Sequence, residues 1–405
     1  MRATGGKVKA VFWHLGVRRA LEERGFRFTV GFGQEAPPTP GEIGMMVGSS
    51  AGCMFSLLTA TGCDVPDILN AFRGHPSRLP AIDSSVIFRQ RGITWKGYFR
   101  RIRNAVNLRA GEELFPGTPL FPSQPSDEDE TQSGVETPRQ LPFRKFIHHF
   151  RMRDLLAVRA RYVLTGLEDF LEKLLGGHTN FAELRARLFF ITTDLDNARV
   201  VVFSAEESDH LWYRYVSGVP LARAATCSMA APSVFNPVSV KLEGRRHYFI
   251  DGDVYNPNET MIETDHGCDL AIVSSFEAPY RFHPAIGSLH HLGLPYEISQ
   301  AIALSIYSRF LQSRNSDKSK GAALAAMRET LAMYLGEEAL EKETKRLAGI
   351  LEIGHGMKTL YLHPHKNPLL FFGNPFDLSP RTFGKMLLEA YLQASELLDR
   401  EGFTK

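Results

Sequence analysis

The chain lacks the features that mark a membrane span, a secreted disulfide scaffold or a metal site. No run of 18 apolar residues occurs in its 405 residues, and the opening stretch, MRATGG, contains no apolar signal core. Its four cysteines form no C-x-x-C pair and show no metal-ligand spacing, which favours buried thiols in a reducing compartment. We therefore expect a cytoplasmic protein with no signal peptide, no transmembrane segment, no metal and no cofactor.

The chain also lacks a strong charge of either sign. Its formal net charge is +2, which is too small to indicate a nucleic-acid partner. Hydrophobic residues make up 43% of the sequence, which is ample for a large core. No internal repeat is present. These observations favour a soluble globular protein without a nucleic-acid partner.

A G-x-S-x-G pattern at residues 48–52 is the strongest chemical signal. It follows the apolar run 43–47, which is short enough for a buried strand, and it precedes an apolar stretch typical of a buried helix. In a strand–turn–helix context this pattern predicts a nucleophile elbow, which exposes the hydroxyl of the middle serine, Ser50. Such a sharp turn needs small neighbours, and the sequence supplies Gly48, Ala51 and Gly52.

A glycine-rich loop precedes this serine by more than forty residues. Gly5, Gly6 and Lys7 are followed by an apolar stretch that predicts a helix ending near Gly25. The loop is neither a Walker loop nor a G-x-G-x-x-G fingerprint. Free amides at a helix start bind anions, so the loop is a candidate oxyanion hole.

Apolar runs and helical patterns alternate along the rest of the chain. The spacing predicts strands over 188–195, 198–203, 270–274 and 359–362, and helices over 294–314, 319–335 and 380–399. Another predicted strand ends in Asp251-Gly252-Asp253. This alternation predicts an α/β fold with a mostly parallel central sheet.

The two serine- and glycine-containing segments together resemble the patatin-like phospholipase family, in particular its bacterial type. GGKVKAVFWHLG matches the spacing of the family's oxyanion loop, TCSMAAPSVFNPV is similar to a family segment, and Asp251-Gly252 falls where the family has its D-G-G or D-G-A motif. The resemblance implies a three-layer αβα fold in a single domain, 1–405, and a lipid acyl hydrolase with a serine–aspartate dyad. The implied roles are nucleophile for Ser50, base for Asp251, and oxyanion donors for the amides of Gly5, Gly6, Lys7 and Ala51.

Three residues depart from the family pattern and keep a second hypothesis open. Lys7 and Ala10 replace loop glycines, and Asp253 is the unusual third residue of the aspartate motif, where it adds a negative charge. They favour a catalytically weakened protein that binds lipid or regulates another activity. A third hypothesis is an α/β-hydrolase triad of Ser50 and Asp251 with one of the later histidines His283, His291, His355 or His363.

The stretch 77–180 is the divergent part of the chain, and its length suits a helical or disordered lid. Within it, 115–141 is rich in Pro, Ser and Thr and is predicted to be flexible. The flanking stretches 84–109 and 144–161 are basic, with interleaved aromatic residues, and an acidic run lies between them at 127–130. Such stretches suit peripheral binding to an anionic membrane surface, although ordinary solvated helices have the same pattern.

Overall fold

The computed structural model describes residues 1–90 and 162–403, apart from residues 7, 36, 38, 233, 256–259, 285, 293, 352, 355 and 366–378. Contacts divide the chain into two compact units, Met1–Arg89 with Tyr162–Lys405, and Gln90–Arg161. The first unit contains the central sheet and its flanking helices. The predicted flexible stretch 115–141, and nearly all of the basic stretches 84–109 and 144–161, lie outside the described residues.

Strands of two to eight residues and helices are interspersed along the described residues. The strands are β1 (Arg2–Ala3), β2 (Arg27–Phe28), β3 (Glu42–Ile43), β4 (Met45–Ser49), β5 (Arg89–Gln90), β6 (Tyr162–Val163), β7 (Arg187–Asp194), β8 (Arg199–Phe203), β9 (Ser208–Asp209), β10 (Tyr213–Val216), β11 (Val238–Leu242), β12 (Arg245–Asp251), β13 (Leu270–Ser274) and β14 (Lys358–Leu362). The helices are α1 (Val8–Glu23), α2 (Ala51–Ala60), α3 (Val65–Arg73), α4 (Ser84–Ile87), α5 (Thr165–Leu175), α6 (Leu221–Ser228), α7 (Met261–Asp265), α8 (Leu294–Ala332), α9 (Glu337–Ile350) and α10 (Pro380–Arg400).

Most of these strands build one central sheet. Its order is β14-β13-β1-β4-β7-β8-β10-β9, and the hairpin β11–β12 joins it through pairing of β12 with β7. The five strands from β14 to β7 are parallel, whereas β8 and β12 run antiparallel to β7. The predicted mostly parallel sheet of an α/β fold is confirmed.

Both faces of the sheet are buried at its central strands, where all of β4 and nearly all of β7 are buried. On β4, Met46 belongs to the larger core cluster, whereas its neighbours Met45 and Val47 belong to a second cluster on the opposite face. Helices α1 and α10 contribute to the larger cluster, where the rings of Phe12 and Phe383 stack with centroids 3.7 Å apart. Helix α7 covers the other face. The fold therefore has three layers, αβα.

The predicted break between two helices at 315–318 is wrong. Helix α8 continues from Leu294 to Ala332 without interruption. The four residues at the predicted break are polar but include no glycine or proline, so they do not prevent helical geometry. Asp317 also accepts hydrogen bonds from the hydroxyls of Tyr361 and Thr260, which fixes the middle of α8 against the sheet. Among the described helices, none has both the length and the apolar character needed to cross a membrane.

Candidate active site

Strand β7 brings the two candidate catalytic segments together. Strand β4 runs parallel to β7 and ends with Ser49 opposite Ile191. Strand β12 runs antiparallel to β7 and ends with Asp251 opposite Thr192. Because Ile191 and Thr192 are consecutive, β4 and β12 end beside each other, although about 200 residues of sequence separate them.

The turn after β4 has the geometry of a nucleophile elbow. Ser50 has φ 49° and ψ −127°, a backbone conformation that side-chain-bearing residues seldom adopt. Helix α2 begins at the next residue, Ala51, whose amide therefore has no acceptor within the helix. A Cβ on Gly52 would lie 1.9 Å from the carbonyl oxygen of Ala3, and one on Gly48 would lie 2.7 Å from Cα of Cys53. The backbone is thus too close for side chains at both positions.

The hydroxyl of Ser50 donates a hydrogen bond to Oδ2 of Asp251 over 2.6 Å. Both side chains are buried. Burial raises the pKa of the Asp251 carboxyl well above its ordinary value, and the nearby Asp253 charge raises it further, while the hydrogen bond from Ser50 opposes the shift. Gly252 follows directly, and a Cβ there would lie 2.1 Å from the carbonyl oxygen of Ile191. This close approach requires glycine.

The predicted oxyanion loop lies beside the elbow. A Cβ on Gly5 would lie 2.5 Å from Cβ of Ser50, so the two backbones are nearly in contact. Gly6 has φ 139° and packs against the ring of Phe276. Lys7, the third predicted donor, lies outside the described residues.

Asp253 makes contacts that the sequence did not indicate. Its Oδ2 accepts a hydrogen bond from the amide of Gly5 over 2.7 Å, and its Oδ1 accepts one from the hydroxyl of Ser49. Its own amide donates to Oδ1 of Asp251 over 2.9 Å. Burial raises the pKa of the Asp253 carboxyl, and the hydrogen bonds from Ser49 and Gly5 partly offset this shift. Asp253 therefore connects the loop, the elbow and the candidate base.

Sequence reasoning did not single out Ser228 as a residue of this site. The hydroxyl of Ser228, at the end of α6, accepts a hydrogen bond from the amide of Ser50 over 2.8 Å and donates one to the carbonyl of Ile191. It therefore holds the elbow against β7. The one sequence signal for this role was the likeness of its segment, TCSMAA, to a family segment.

His14 contacts the residue that precedes the predicted oxyanion loop. Burial lowers the pKa of His14 to about 4, so its ring is neutral at pH 7. Its Nε2 donates to the carbonyl of Thr4 over 2.8 Å, and its Nδ1 accepts from the hydroxyl of Ser274 over 2.8 Å. A polar residue within the apolar stretch of α1 was the only sequence signal for this role.

None of the histidines of the triad hypothesis is the hydrogen-bond partner of the Ser50 hydroxyl among the described residues. The ring of His363 lies 5.2 Å from that of Phe310, and the backbone amide of His283 donates a hydrogen bond to the Tyr280 hydroxyl. The ring of His291 lies 5.8 Å from that of its neighbour His290, and His355 lies outside the described residues. Among the described residues, the hydroxyl of Ser50 has one side-chain partner, Asp251. The same part of the chain contains no group of three His, Cys, Asp or Glu residues that could hold a metal ion.

The part of the chain that contains the loop, the elbow and the aspartate matches a known protein family. The sequence model of the patatin-like phospholipase family matches residues 4–262, which is more than half of the chain and includes Gly5, Ser50 and Asp251. A comparison with curated proteins found no match. The matched segment begins beside the glycine loop and ends beyond the aspartate motif. The chain therefore belongs to the patatin-like phospholipase family, whose members are hydrolases that act on lipids.

Proposed function

We propose that this protein is a lipid acyl hydrolase of the phospholipase A or esterase type, with Ser50 as nucleophile and Asp251 as its base. Asp251 takes the proton of the Ser50 hydroxyl as the oxygen attacks the ester carbonyl. The tetrahedral intermediate then expels the alcohol, which takes that proton, and leaves an acyl group on Ser50. Water then attacks the acyl-enzyme while Asp251 accepts one of its protons. The second tetrahedral intermediate breaks the bond to Oγ of Ser50, Asp251 returns the proton to that oxygen, and the fatty acid is released.

The observation that carries this proposal is the 2.6 Å hydrogen bond between Ser50 and Asp251 at a strained elbow. An ordinary carboxylate, with a pKa near 4, is a poor base for a serine. Burial of Asp251 raises its pKa and so improves it as a base. The ionised Asp251 carboxylate predominates only above that raised pKa. The fraction of the protein with an active dyad therefore increases as the pH rises through it.

The oxyanion of the intermediate needs hydrogen-bond donors beside Ser50. We assign this role to the amide of Ala51, at the start of α2, together with the amides of Gly5 and Gly6. The same role for the amide of Lys7 is implied by the family resemblance alone. Preformed backbone donors in a buried site stabilise developing charge without reorganisation, and removal of one typically lowers kcat about 10²- to 10³-fold.

A second candidate function is lipid binding or regulation with weakened catalysis. The observation that favours it is the hydrogen bond from the Gly5 amide to the Asp253 carboxylate. That bond engages one of the proposed oxyanion donors. The two candidates differ in whether Ser50 is an activated nucleophile, which a chemical probe reports directly.

A fluorophosphonate probe is expected to label wild-type protein at Ser50, because only an activated serine displaces fluoride from phosphorus. Mass spectrometry of the labelled peptide covering the elbow identifies the modified residue. The matched control is Ser56→Ala, which removes another buried hydroxyl of α2 and should leave labelling unchanged. Absence of label on folded wild-type protein would favour the second candidate, and label on Ser49 would show that the elbow is misassigned.

We also propose that the protein binds anionic membranes peripherally, with the catalytic edge of the sheet facing the lipid. On β10, Tyr213 pairs with Val200 of the neighbouring strand β8. Val200 in turn pairs with Thr193 of β7, which lies two residues beyond Ile191. The turn before β10 therefore lies at the edge where β4 ends, about 14 Å from it across three strand spacings. This turn carries Leu211, 81% exposed, and Trp212, 61% exposed. Tryptophan is favoured at the membrane–water interface.

Replacement of both Leu211 and Trp212 by serine is expected to weaken binding to anionic phospholipid vesicles about tenfold or more, measured by co-sedimentation. The reason is the smaller apolar area that the variant can bury in the lipid. The control replaces Met333 and Tyr334, 70% and 80% exposed between α8 and α9, by serine and should bind as wild type. Equal weakening in both variants would contradict a specific docking edge.

Binding that does not fade with salt would contradict a role for the basic stretches 84–109 and 144–161.

A further inference from the structure

Two hydrogen bonds on the preceding residue, Thr4, restrain the direction of the Gly5 amide. Thr4 supplies the carbonyl of the same peptide unit, and that oxygen accepts the hydrogen bond from Nε2 of His14. The amide of Thr4 donates to the carbonyl of Ser274 over 3.0 Å. In a trans peptide the N–H points away from the carbonyl, so these contacts aim the Gly5 N–H at Oδ2 of Asp253.

This same amide lies next to the nucleophile. A Cβ on Gly5 would lie 1.9 Å from Oδ2 of Asp253 and 3.0 Å from Oγ of Ser50, so these two oxygens are at most about 5 Å apart. An amide N–H serves one well-aligned acceptor at a time. While Asp253 accepts it over 2.7 Å, the amide is not available to an oxyanion formed on Ser50.

The carboxylate of Asp253 is held in this position by its surroundings. Its side chain is buried, and its other oxygen accepts the hydroxyl of Ser49. Arg309 on α8 donates to the backbone carbonyls of Asp253 and Val254, the latter over 2.6 Å. Both the side chain and the backbone at this position are therefore restrained.

We propose that Asp253 is an inhibitory residue whose carboxylate occupies the oxyanion hole and must leave the Gly5 amide before the tetrahedral intermediate can form. This inference rests on the proposed function of Ser50. The carboxylate acts in two ways. It engages a donor that the oxyanion needs, and its negative charge raises the energy of a second negative charge forming beside it. The inhibited arrangement is the one that the structure shows.

The test compares kcat on a short p-nitrophenyl ester, and the rate of fluorophosphonate labelling of Ser50, between wild type and Asp253→Gly. We expect both rates to rise at least tenfold, because one oxyanion donor becomes free. Asp253→Asn keeps the size of the side chain and a carbonyl acceptor but removes the charge. Its two rates should therefore lie between those of wild type and those of Asp253→Gly. It also serves if the glycine variant fails to fold. Glu343→Gln removes a negative charge on α9, where its ion-pair partner is Arg346, and it should change the rates less than twofold.

The outcomes separate this inference from the function on which it rests. Labelling of wild type at Ser50 with no faster reaction in Asp253→Gly and Asp253→Asn, both folded by their Tm, overturns the inhibitory role and leaves the hydrolase intact. A fall in kcat in both variants also overturns it and makes Asp253 a residue that positions the loop. No labelling of Ser50 in any of the proteins removes the proposed function and this inference together.

Discussion

Ser50→Ala is expected to lower kcat on short p-nitrophenyl esters about 10³-fold or more and to abolish labelling by a fluorophosphonate. The substitution removes the atom that would form the acyl-enzyme. The fold should persist, since alanine is smaller than serine and meets the same backbone strain at φ 49°. Removal of the hydroxyl also breaks its hydrogen bond to Asp251. Circular dichroism and Tm check the fold, and esterase assays check the activity.

Two other serines make this result specific. Ser56→Ala removes a buried hydroxyl in the same helix, α2, which has no hydrogen-bond partner among the described residues, and should leave kcat unchanged. Ser49 precedes the proposed nucleophile, and its hydroxyl donates a hydrogen bond to Asp253 instead of Asp251. If Ser49→Ala removed activity while Ser50→Ala kept it, the assignment of the nucleophile would be wrong.

The elbow was predictable from sequence because all of its determinants are local. The apolar run 43–47, the small residues around Ser50 and the apolar stretch of α2 lie within twenty residues of one another. The structure turns that pattern into β4, a residue with positive φ and α2. Periodicity likewise predicted β7, β8, β13 and α10 within a few residues of their observed ends. Local pattern and tertiary structure agree for these elements.

The contacts between distant segments were not predictable in the same way. Nothing in the spacing of Ser50 and Asp251 shows that both lie against β7, and only the family resemblance paired them. The hydrogen bonds that the Asp253 carboxylate accepts from Ser49 and Gly5 depend on side-chain directions just after β12, which a sequence does not specify. The continuous helix α8 was missed because polar residues at 315–318 favour a loop locally, whereas contacts with Tyr361 stabilise the helix.

Asp251→Asn is expected to reduce kcat nearly as much as Ser50→Ala, by about 10³-fold, and the double variant should be scarcely worse than either. Asparagine keeps the shape of the side chain and can still accept the amide of Asp253, which donates to Oδ1 over 2.9 Å. Its amide group, however, does not accept the proton of Ser50. The two residues act on one proton, so the effects of the two substitutions should not add.

The same substitution is expected to raise stability at neutral pH. Burial raises the pKa of Asp251 in the folded state above its unfolded value, so its contribution to stability is present at low pH and is lost as the pH rises through the folded-state pKa. Asparagine carries no such charge. The Tm of Asp251→Asn should therefore exceed that of wild type at pH 7, and the difference should shrink as the pH is lowered. A Tm of the variant below that of wild type at pH 7 would contradict this expectation.

Histidine variants complete the test of the base. The triad hypothesis names His283, His291, His355 and His363. A change of each of them, or of His290, to alanine is expected to leave substantial turnover. The reason is that, among the described residues, the Ser50 hydroxyl bonds to the Asp251 carboxylate directly, with no ring between them. In a triad, the histidine would accept the serine proton and Asp251 would only orient it. If one histidine variant kept its Tm but lost activity as completely as Ser50→Ala, that histidine, and not Asp251, would be the base.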